Sequence, residues 1–198
     1  MILSIITPCS RPLNLPTLYW SILNMKTNNV EWIIVYDGDN IDKRILQYQE
    51  QIPIKLFNRV REVGDSMGAK LRNVGIENAI GDYLYFLDDD NLVHPKLYDR
   101  INRYIDNKDD YILVFNQFNA KFTKRLNELN INCVQNGVLD TAQFVVPRKY
   151  KTRWTTEQKR YEEIPYFKKL IQEAGEHNIK WIDRLFTYRN YLRRYEIK

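Results

Sequence analysis

Short apolar segments that end in turn-forming residues alternate with helical patterns along the first half of the chain. The runs Leu3–Thr7 and Glu31–Tyr36 are apolar and β-branched, and turn-forming residues follow each of them, which is typical of buried strands in a parallel sheet. Between them, apolar residues recur at spacings of three and four, which predicts a helix. The apolar face of this helix consists of Leu15, Leu18, Ile22 and Met25.

The alternation continues to about residue 115. The predicted elements are a helix at 43–51, a strand at 54–57, a helix at 69–79, a strand at 83–87, a helix from about Pro95 and a strand at 111–115. Such alternation predicts a doubly wound α/β sheet, mostly parallel, with right-handed crossovers and helices on its faces. Ligands of such sheets bind beyond the carboxyl ends of the strands.

After Asn116 the pattern is less regular. Scattered apolar positions indicate short strands or a hairpin, and residues 164–174 form a helical pattern that begins near Pro165 and stops at Gly175. The scattered positions are Phe118, Phe122, Val134, Val138 and Phe144–Val146. No repeat, low-complexity tract or linker separates a second unit, so the 198 residues are expected to form one domain.

Charge is distributed unevenly along the chain, whose net charge is +5. Residues 1–147 hold 16 Lys and Arg against 18 Asp and Glu, whereas residues 148–198 hold 14 against 7. The basic C-terminal quarter could face a pyrophosphate, an anionic acceptor, nucleic acid or an anionic membrane surface, or it could simply be solvated.

Cysteine content and the N-terminal sequence bear on the compartment. Cys9 and Cys133 are the only cysteines, which indicates neither a zinc site nor a disulfide framework and suits a reducing compartment. The start of the chain has no basic region before its apolar stretch, and no window approaches the ~20 apolar residues of a membrane span. A cytoplasmic protein is expected, either soluble or in peripheral membrane contact through its basic C-terminal segment.

Acidic residues follow two of the predicted strands. Asp37 and Asp39 come after the second strand, and Asp88, Asp89 and Asp90 come after the strand at 83–87. Consecutive carboxylates repel each other at the end of an apolar strand unless a cation compensates them. Mg²⁺ or Mn²⁺ would do so, since a hard divalent ion takes carboxylate and phosphate oxygens. The alternative is an acidic turn that caps the next helix.

The order of motifs resembles that of the family 2 glycosyltransferases. Gly68–Asn91 contains a glycine, an Arg-Asn pair, a second glycine, the turn Ala79-Ile80-Gly81-Asp82-Tyr83 into a strand, and then the acidic motif of the DxD type. Ser4–Pro8 and Val35–Gly38 are similar to the family's first strand and to the acidic turn that closes its second. The resemblance implies a GT-A fold with a Rossmann-like sheet, in which residues 1–91 form the nucleotide-binding half and residues 92–198 the acceptor half.

By this resemblance, several residues would contact the nucleoside of the donor. Asp37 matches the residue that binds the nucleobase, typically uracil, and the backbone at Thr7 and Pro8 lines the base and ribose. Asp39 stands where many relatives have Ser, and Asp89 would lie near the ribose or the donor sugar.

The resemblance also implies a metal-assisted donor site. Asp88 and Asp90 match the outer positions of the metal motif, with Asp90 as the direct ligand of Mn²⁺ or Mg²⁺. Arg72 matches a basic position close to the donor, and Lys70 is a candidate beside it. Two cations near a diphosphate would balance its charge, although a solvated helix face is the alternative for both.

The implied reaction moves a sugar from a nucleotide-diphosphate sugar, with UDP favoured, to a hydroxyl acceptor with inversion at the anomeric carbon. Such a reaction needs a general base on the acceptor hydroxyl. Glu163, beside Glu162 and just before an aromatic helix, matches the family's acidic pair, with Glu where Asp is usual. Asp140 is the second candidate, either as the base or as an acceptor-binding group.

Two other classes of protein remain as alternatives. A nucleotidyltransferase would share the α/β layout and the metal carboxylates, but it needs a Gly-rich basic loop after the first strand, and residues 8–11 contain no glycine. A nucleic-acid-binding module would explain the basic C-terminal quarter and would leave the acidic strand ends unexplained. No nucleic-acid partner is therefore expected.

Overall fold

The chain folds around one eight-stranded sheet in a computed structural model that describes residues 1–60, 68–105, 110–119, 121, 123–135, 138–155 and 162–195. The strands are β1 (Leu3–Cys9), β2 (Val30–Asp37), β3 (Ile54–Arg59), β4 (Tyr83–Phe86), β5 (Leu92–Val93), β6 (Ile112–Phe118), β7 (Phe144–Pro147) and β8 (Ile179–Tyr188). The α-helices are α1 (Leu15–Leu23), α2 (Ala69–Asn78), α3 (Leu97–Ile105), α4 (Asn132–Gln135) and α5 (Glu163–Ala174). Short 3₁₀ helices cover Pro12–Asn14, Lys43–Tyr48, Thr141–Gln143, Glu176–Asn178 and Leu192–Tyr195.

The sheet is parallel in its first half and mixed in its second. Its strand order is β3-β2-β1-β4-β7-β6-β8-β5, with β1 parallel to both β2 and β4 and with β2 parallel to β3. β7 runs antiparallel between β4 and β6, whereas β8 returns parallel to β6. The predicted α/β sheet is confirmed, and the antiparallel β7 joins residues from the two halves of the chain.

Helices cover both faces of the sheet, because alternate residues of each strand point to opposite sides. Leu3 and Ile5 of β1 belong to a core cluster that includes residues of α1 and α3, whereas Ile6 belongs to a second cluster with residues of α2 and α5. Among the residues described, none of the helices combines the length and apolar character that a membrane crossing requires.

Several elements differ from the sequence-based expectation: β5 was not predicted, and Val134, expected in a short strand or hairpin, lies in helix α4. The helix predicted at 43–51 is a 3₁₀ helix that ends at Tyr48 and begins where the Asp42 side chain accepts a hydrogen bond from the Arg44 N–H. The ten-residue strand β8 was not predicted, because irregular pairing between β6 and β8 breaks the alternation of buried and exposed side chains. Phe122, a predicted apolar position, lies outside the described residues.

α2 packs unusually closely against β1 at a glycine. A Cβ at Gly75 would overlap Cγ2 of Ile6 and lie 3.2 Å from its Cγ1. Both residues are buried in the sheet–helix interface, so the side chain of Ile6 has little room to move. The missing side chain at Gly75 therefore fixes how near α2, which begins next to the cleft, lies to the sheet.

Gly75→Ala is expected to destabilise the fold by about 1 to 3 kcal/mol, the usual cost of overpacking a core. This sign is opposite to the usual effect in a helix, where Ala stabilises by about 0.5 to 1 kcal/mol relative to Gly. Urea unfolding monitored by circular dichroism measures the change. Glu77→Ala on the exposed side of α2 is the control, and its free energy of unfolding should stay within about 0.5 kcal/mol of that of the parent. If Gly75→Ala is more stable than the parent, the interface between α2 and β1 is looser than described.

Candidate active site

A cleft opens beyond the carboxyl ends of β1, β2 and β4. Because β1 lies between the other two strands, the residues that follow β2 and β4 reach the cleft from its two sides. The cleft has a volume of about 120 Å³. It is lined by Pro8, Ser10, Arg11, Asp37, Gly68, Leu71, Arg72, Asp88, Asp89, Asp90 and Arg193.

Asp89 fastens the loop after β1 to the loop after β4. Its Oδ2 accepts hydrogen bonds from the backbone N–H groups of Ser10 and Arg11, both at 2.7 Å, and its Oδ1 lies 2.8 Å from Arg11 NH1. The Asn14 side-chain amide donates to the backbone carbonyl of Asp89 at 3.0 Å. The carboxylate of Asp89 therefore shapes the cleft wall by holding the first loop in place.

Asp90 is a buried carboxylate at the edge of the cleft. It is 2% exposed, and its Oδ2 forms an ion pair with Arg193 and lies 3.5 Å from Arg11 NH1. Burial and the nearby charge of Asp88 raise the pKa of Asp90, although Arg193 opposes this effect. A carboxylate in this environment would be stabilised by additional positive charge.

A buried guanidinium, that of Arg72, joins the acidic motif to the start of α5. Arg72 NH2 donates to Asp88 Oδ1 at 2.7 Å, and Arg72 NH1 donates to Glu162 Oε2 at 3.0 Å. The ring of Trp154 packs on the guanidinium at 4.6 Å. Gly68 makes room for this arrangement, because its φ is +124° and a Cβ there would lie 2.9 Å from Arg72 NH1.

Asp140 is a largely buried carboxylate with two arginine partners. Arg125 NH1 donates to Asp140 Oδ2 at 2.7 Å, and Arg189 forms a second ion pair with the same oxygen. Burial raises the pKa of Asp140, but Arg189 and Arg125 outweigh this effect and hold the pKa below its usual value. The Thr141 hydroxyl lies 3.2 Å from Asp140 Oδ1 and 3.0 Å from Asp88 Oδ2, so it connects this cluster to the acidic motif.

Glu163 opens α5 and lies in a partly apolar environment. It lines a small pocket with Leu139 and Phe167, apart from the main cleft. Burial is the main cause of its raised pKa, to which the charges of Asp140 and Asp88 add. Of the two candidate bases, Glu163 is therefore the better proton acceptor and Asp140 the more firmly ionised group.

The structure brings most of the sequence-predicted donor residues together, but three of them do not line the cleft. Thr7 is buried and its hydroxyl accepts a hydrogen bond from Trp32 Nε1 at 2.9 Å, Asp39 is exposed, and Lys70 is half-buried on α2. Their assigned roles stay predictions.

Sequence reasoning missed three cationic or polar residues of the cleft. Ser10 and Arg11 directly follow β1, so their position at a strand end was an available signal. Arg193 reaches Asp90 across 103 positions of the chain, and no local pattern marks such a contact.

Asp88 and Asp90 offer the carboxylate oxygens that a hard divalent cation takes together with phosphate oxygens, but Arg72 and Arg193 pair with them, so the cation site stays a prediction. Within the described part of the chain, no three His, Cys, Asp or Glu side chains converge on one point as a metal-binding group. Protein ligands would then be limited to Asp90, with help from Asp88. Mg²⁺ is commonly held in this way, by one or two carboxylates together with substrate phosphates.

The family model described as Glycosyl transferase family 2 matches residues 4–192. The chain belongs to this family. Two uncharacterized glycosyltransferases of Haemophilus influenzae are similar to this family 2 chain, with 30% identity over 105 residues and 37% over 92 residues. These matches cover 52% and 44% of this chain and only 34% and 35% of the relatives, so the chain spans about a third of their length.

Crystal structures of S. aureus TarS share the fold of this family 2 chain. Residues 1–349 of TarS match with a TM-score of 0.79 and 17% identity, over 95% of this chain and 60% of TarS 1–349. The complex of TarS 1–349 with UDP-GlcNAc matches with a TM-score of 0.77 and 17% identity, over 95% of this chain and 58% of that one. The predicted GT-A fold is thereby confirmed.

The Asp140 cluster predicts a pH-dependent stability. Because the pKa of Asp140 is lower in the folded state, its ion pairs stabilise the fold above the ordinary Asp pKa of about 3.9 and are lost as pH falls through the folded value. Asp140→Asn should therefore cost about 2 to 3 kcal/mol at pH 7, which is modest for a buried pair because Arg189 is partly exposed. The difference in the free energy of unfolding between Asp140→Asn and the parent should become smaller below about pH 4.

Urea unfolding at several pH values between 7 and 3 measures this gap. Asp183→Asn, which removes an exposed pair with Lys124, is the control and should change stability by less than about 1 kcal/mol. A gap for Asp140→Asn that stays constant with pH would show that the carboxylate charge is not what stabilises the cluster.

Proposed function

We propose that this family 2 domain transfers a sugar from a nucleotide-diphosphate sugar, with UDP favoured, to a hydroxyl acceptor with inversion. The observation that carries the proposal is the cleft at the strand ends, which places Asp37 on one side and Asp88–Asp90 on the other. The same fold occurs in S. aureus TarS, whose crystal structures include complexes with UDP and UDP-GlcNAc. The position of the cleft agrees with the rule for ligand binding in open α/β sheets.

The donor would extend across the cleft from Asp37 towards the acidic motif. The carboxylate of Asp37 would accept a hydrogen bond from the uracil ring N–H, and Asp90 with Asp88 would hold Mn²⁺ or Mg²⁺ against the diphosphate. When bound, the cation supplies Lewis-acid stabilisation of charge on the leaving diphosphate. The Arg72 guanidinium, fixed by Asp88 and Glu162, adds positive charge on the same wall.

We assign the proton-accepting role to Glu163. Its raised pKa makes it a stronger base than Asp140, whose charge is stabilised by two guanidiniums. Glu163 follows Glu162 directly, and the Glu162 side chain is bonded through Arg72 to Asp88, so the backbone position of the proposed base is tied to the donor site. Asp140 would instead orient Arg125 and Arg189 towards the acceptor.

The other two classes receive no support from the site. A nucleotidyltransferase would need a Gly-rich loop after β1, but this loop carries no glycine. Its backbone N–H groups at Ser10 and Arg11 donate to Asp89. The match to glycosyl transferase family 2 over residues 4–192 argues against a non-catalytic nucleic-acid module.

UDP binding should require a divalent cation and Asp90. Calorimetric titration of the parent with UDP is expected to give binding in Mn²⁺ that chelation weakens strongly, and Asp90→Asn should lose most of the gain from Mn²⁺. Asp37→Ala should weaken UDP binding by ~1.5 to 3 kcal/mol and reduce the preference over CDP. The control is Asp99→Asn on the exposed side of α3, which should bind as the parent does. If Asp90→Asn binds UDP as tightly as the parent, with or without chelator, the metal assignment is wrong.

Glu163→Gln should abolish sugar transfer while keeping UDP affinity. Removal of a general base typically lowers the rate by ~10² to 10⁴ and leaves binding mostly intact. Release of UDP from UDP-GlcNAc, with water or a supplied acceptor, provides the rate, and calorimetry provides the affinity. Asp140→Asn should lower the rate of transfer less than Glu163→Gln does, and it should raise the KM for the acceptor. Full turnover by Glu163→Gln together with an inactive Asp140→Asn would make Asp140 the base.

A further inference from the structure

The segment after β8 docks onto the acidic motif itself. The Leu192 N–H donates to the backbone carbonyl of Asp90 at 3.0 Å, and the Asn190 N–H donates to Asn91 Oδ1 at 2.7 Å. These two bonds, both donated by backbone N–H groups, hold the segment in place independently of the Arg193 side chain. Arg193 then adds an ion pair from its Nε to Asp90 Oδ2.

Arg193 covers the carboxylate that the metal assignment needs. Asp90 is 2% exposed, whereas 53% of the Arg193 side chain is exposed, so the guanidinium lies on the open side of a buried carboxylate. Arg193 also lines the cleft, and Arg11 NH1 approaches the same oxygen of Asp90 at 3.5 Å. A divalent cation at this oxygen would lie beside two guanidiniums and would be repelled by both.

We infer that Arg193 and a divalent cation are alternative counterions of Asp90, and that Arg193 makes metal binding depend on the nucleotide. The inference rests on the proposed function. Without a nucleotide, Arg193 neutralises Asp90 and weakens cation binding. When a nucleoside diphosphate enters with the cation, its phosphate oxygens provide a new anionic partner for the displaced guanidinium. Metal and nucleotide therefore bind cooperatively, and Arg193 sets the size of the coupling.

The test is the affinity for Mn²⁺, measured by electron paramagnetic resonance with and without UDP. Arg193→Gln removes the competing charge and leaves the backbone bonds of Leu192 and Asn190 in place, so the protein should stay folded. In the absence of UDP, its Mn²⁺ affinity should rise by about fivefold or more, and the factor by which UDP strengthens Mn²⁺ binding should fall by a similar amount.

Two further variants separate this effect from net charge and from folding. Arg184→Gln changes the net charge equally at an exposed position of β8 and should bind Mn²⁺ as the parent does. Arg193→Lys keeps a cation at the cleft and should therefore retain much of the coupling between Mn²⁺ and UDP that the parent shows. Circular dichroism of each variant confirms that the comparison is made between folded proteins.

The outcomes distinguish the inference from the function beneath it. The inference is overturned if Arg193→Gln binds Mn²⁺ no more tightly than the parent and Arg184→Gln, or if the parent shows no coupling between Mn²⁺ and UDP. Absence of UDP binding by the parent in Mn²⁺ would instead contradict the proposed function. A rise in Mn²⁺ affinity that is confined to Arg193→Gln, together with reduced coupling, supports the inference.

Discussion

The arrangement of the site depends on one buried guanidinium. Arg72 is 5% exposed, and the removal of its charge from water is offset by Asp88, by Glu162 and by the face of Trp154. Because its partners come from both halves of the chain, the acidic motif after β4 and the start of α5 cannot shift independently. The proposed base at Glu163 thus inherits its position from the same contact that fixes Asp88, which is the kind of support that a preorganised site requires.

Four acidic side chains in or near the cleft form ion pairs with arginines, and this pairing gives the carboxylates different properties. The pairs are Asp88 with Arg72, Asp89 with Arg11, Asp90 with Arg193, and Asp140 with Arg125 and Arg189. Asp140 is held ionised by two charges, whereas burial dominates at Glu163 and raises its pKa. Neighbouring carboxyl groups with opposite pKa shifts are a common arrangement where one group accepts a proton and another orients charge.

The sequence predicted those parts of the structure that depend on local pattern. β1, β2 and β4 are short apolar runs closed by turn residues, and their acidic ends, Asp37 and Asp88–Asp90, do meet at one cleft. The position of β7 was not predictable, since its pairing with β4 joins residues about 60 positions apart and leaves no periodic signal. The ionic partners of Arg72 and Arg193 were missed for a related reason, because charges on helices and near chain ends are usually solvated.

The central position of β7 has a consequence for how the chain is made. β4 gains its second neighbour only when residues 144–147 are available, long after β1–β4 have been synthesised. Until then, the growing polypeptide carries a buried-type strand, Tyr83–Phe86, with one edge of unsatisfied backbone groups. A fragment that stops before residue 144 would keep that edge open to pairing with other molecules, so such a fragment would tend to aggregate when it is expressed without the remainder.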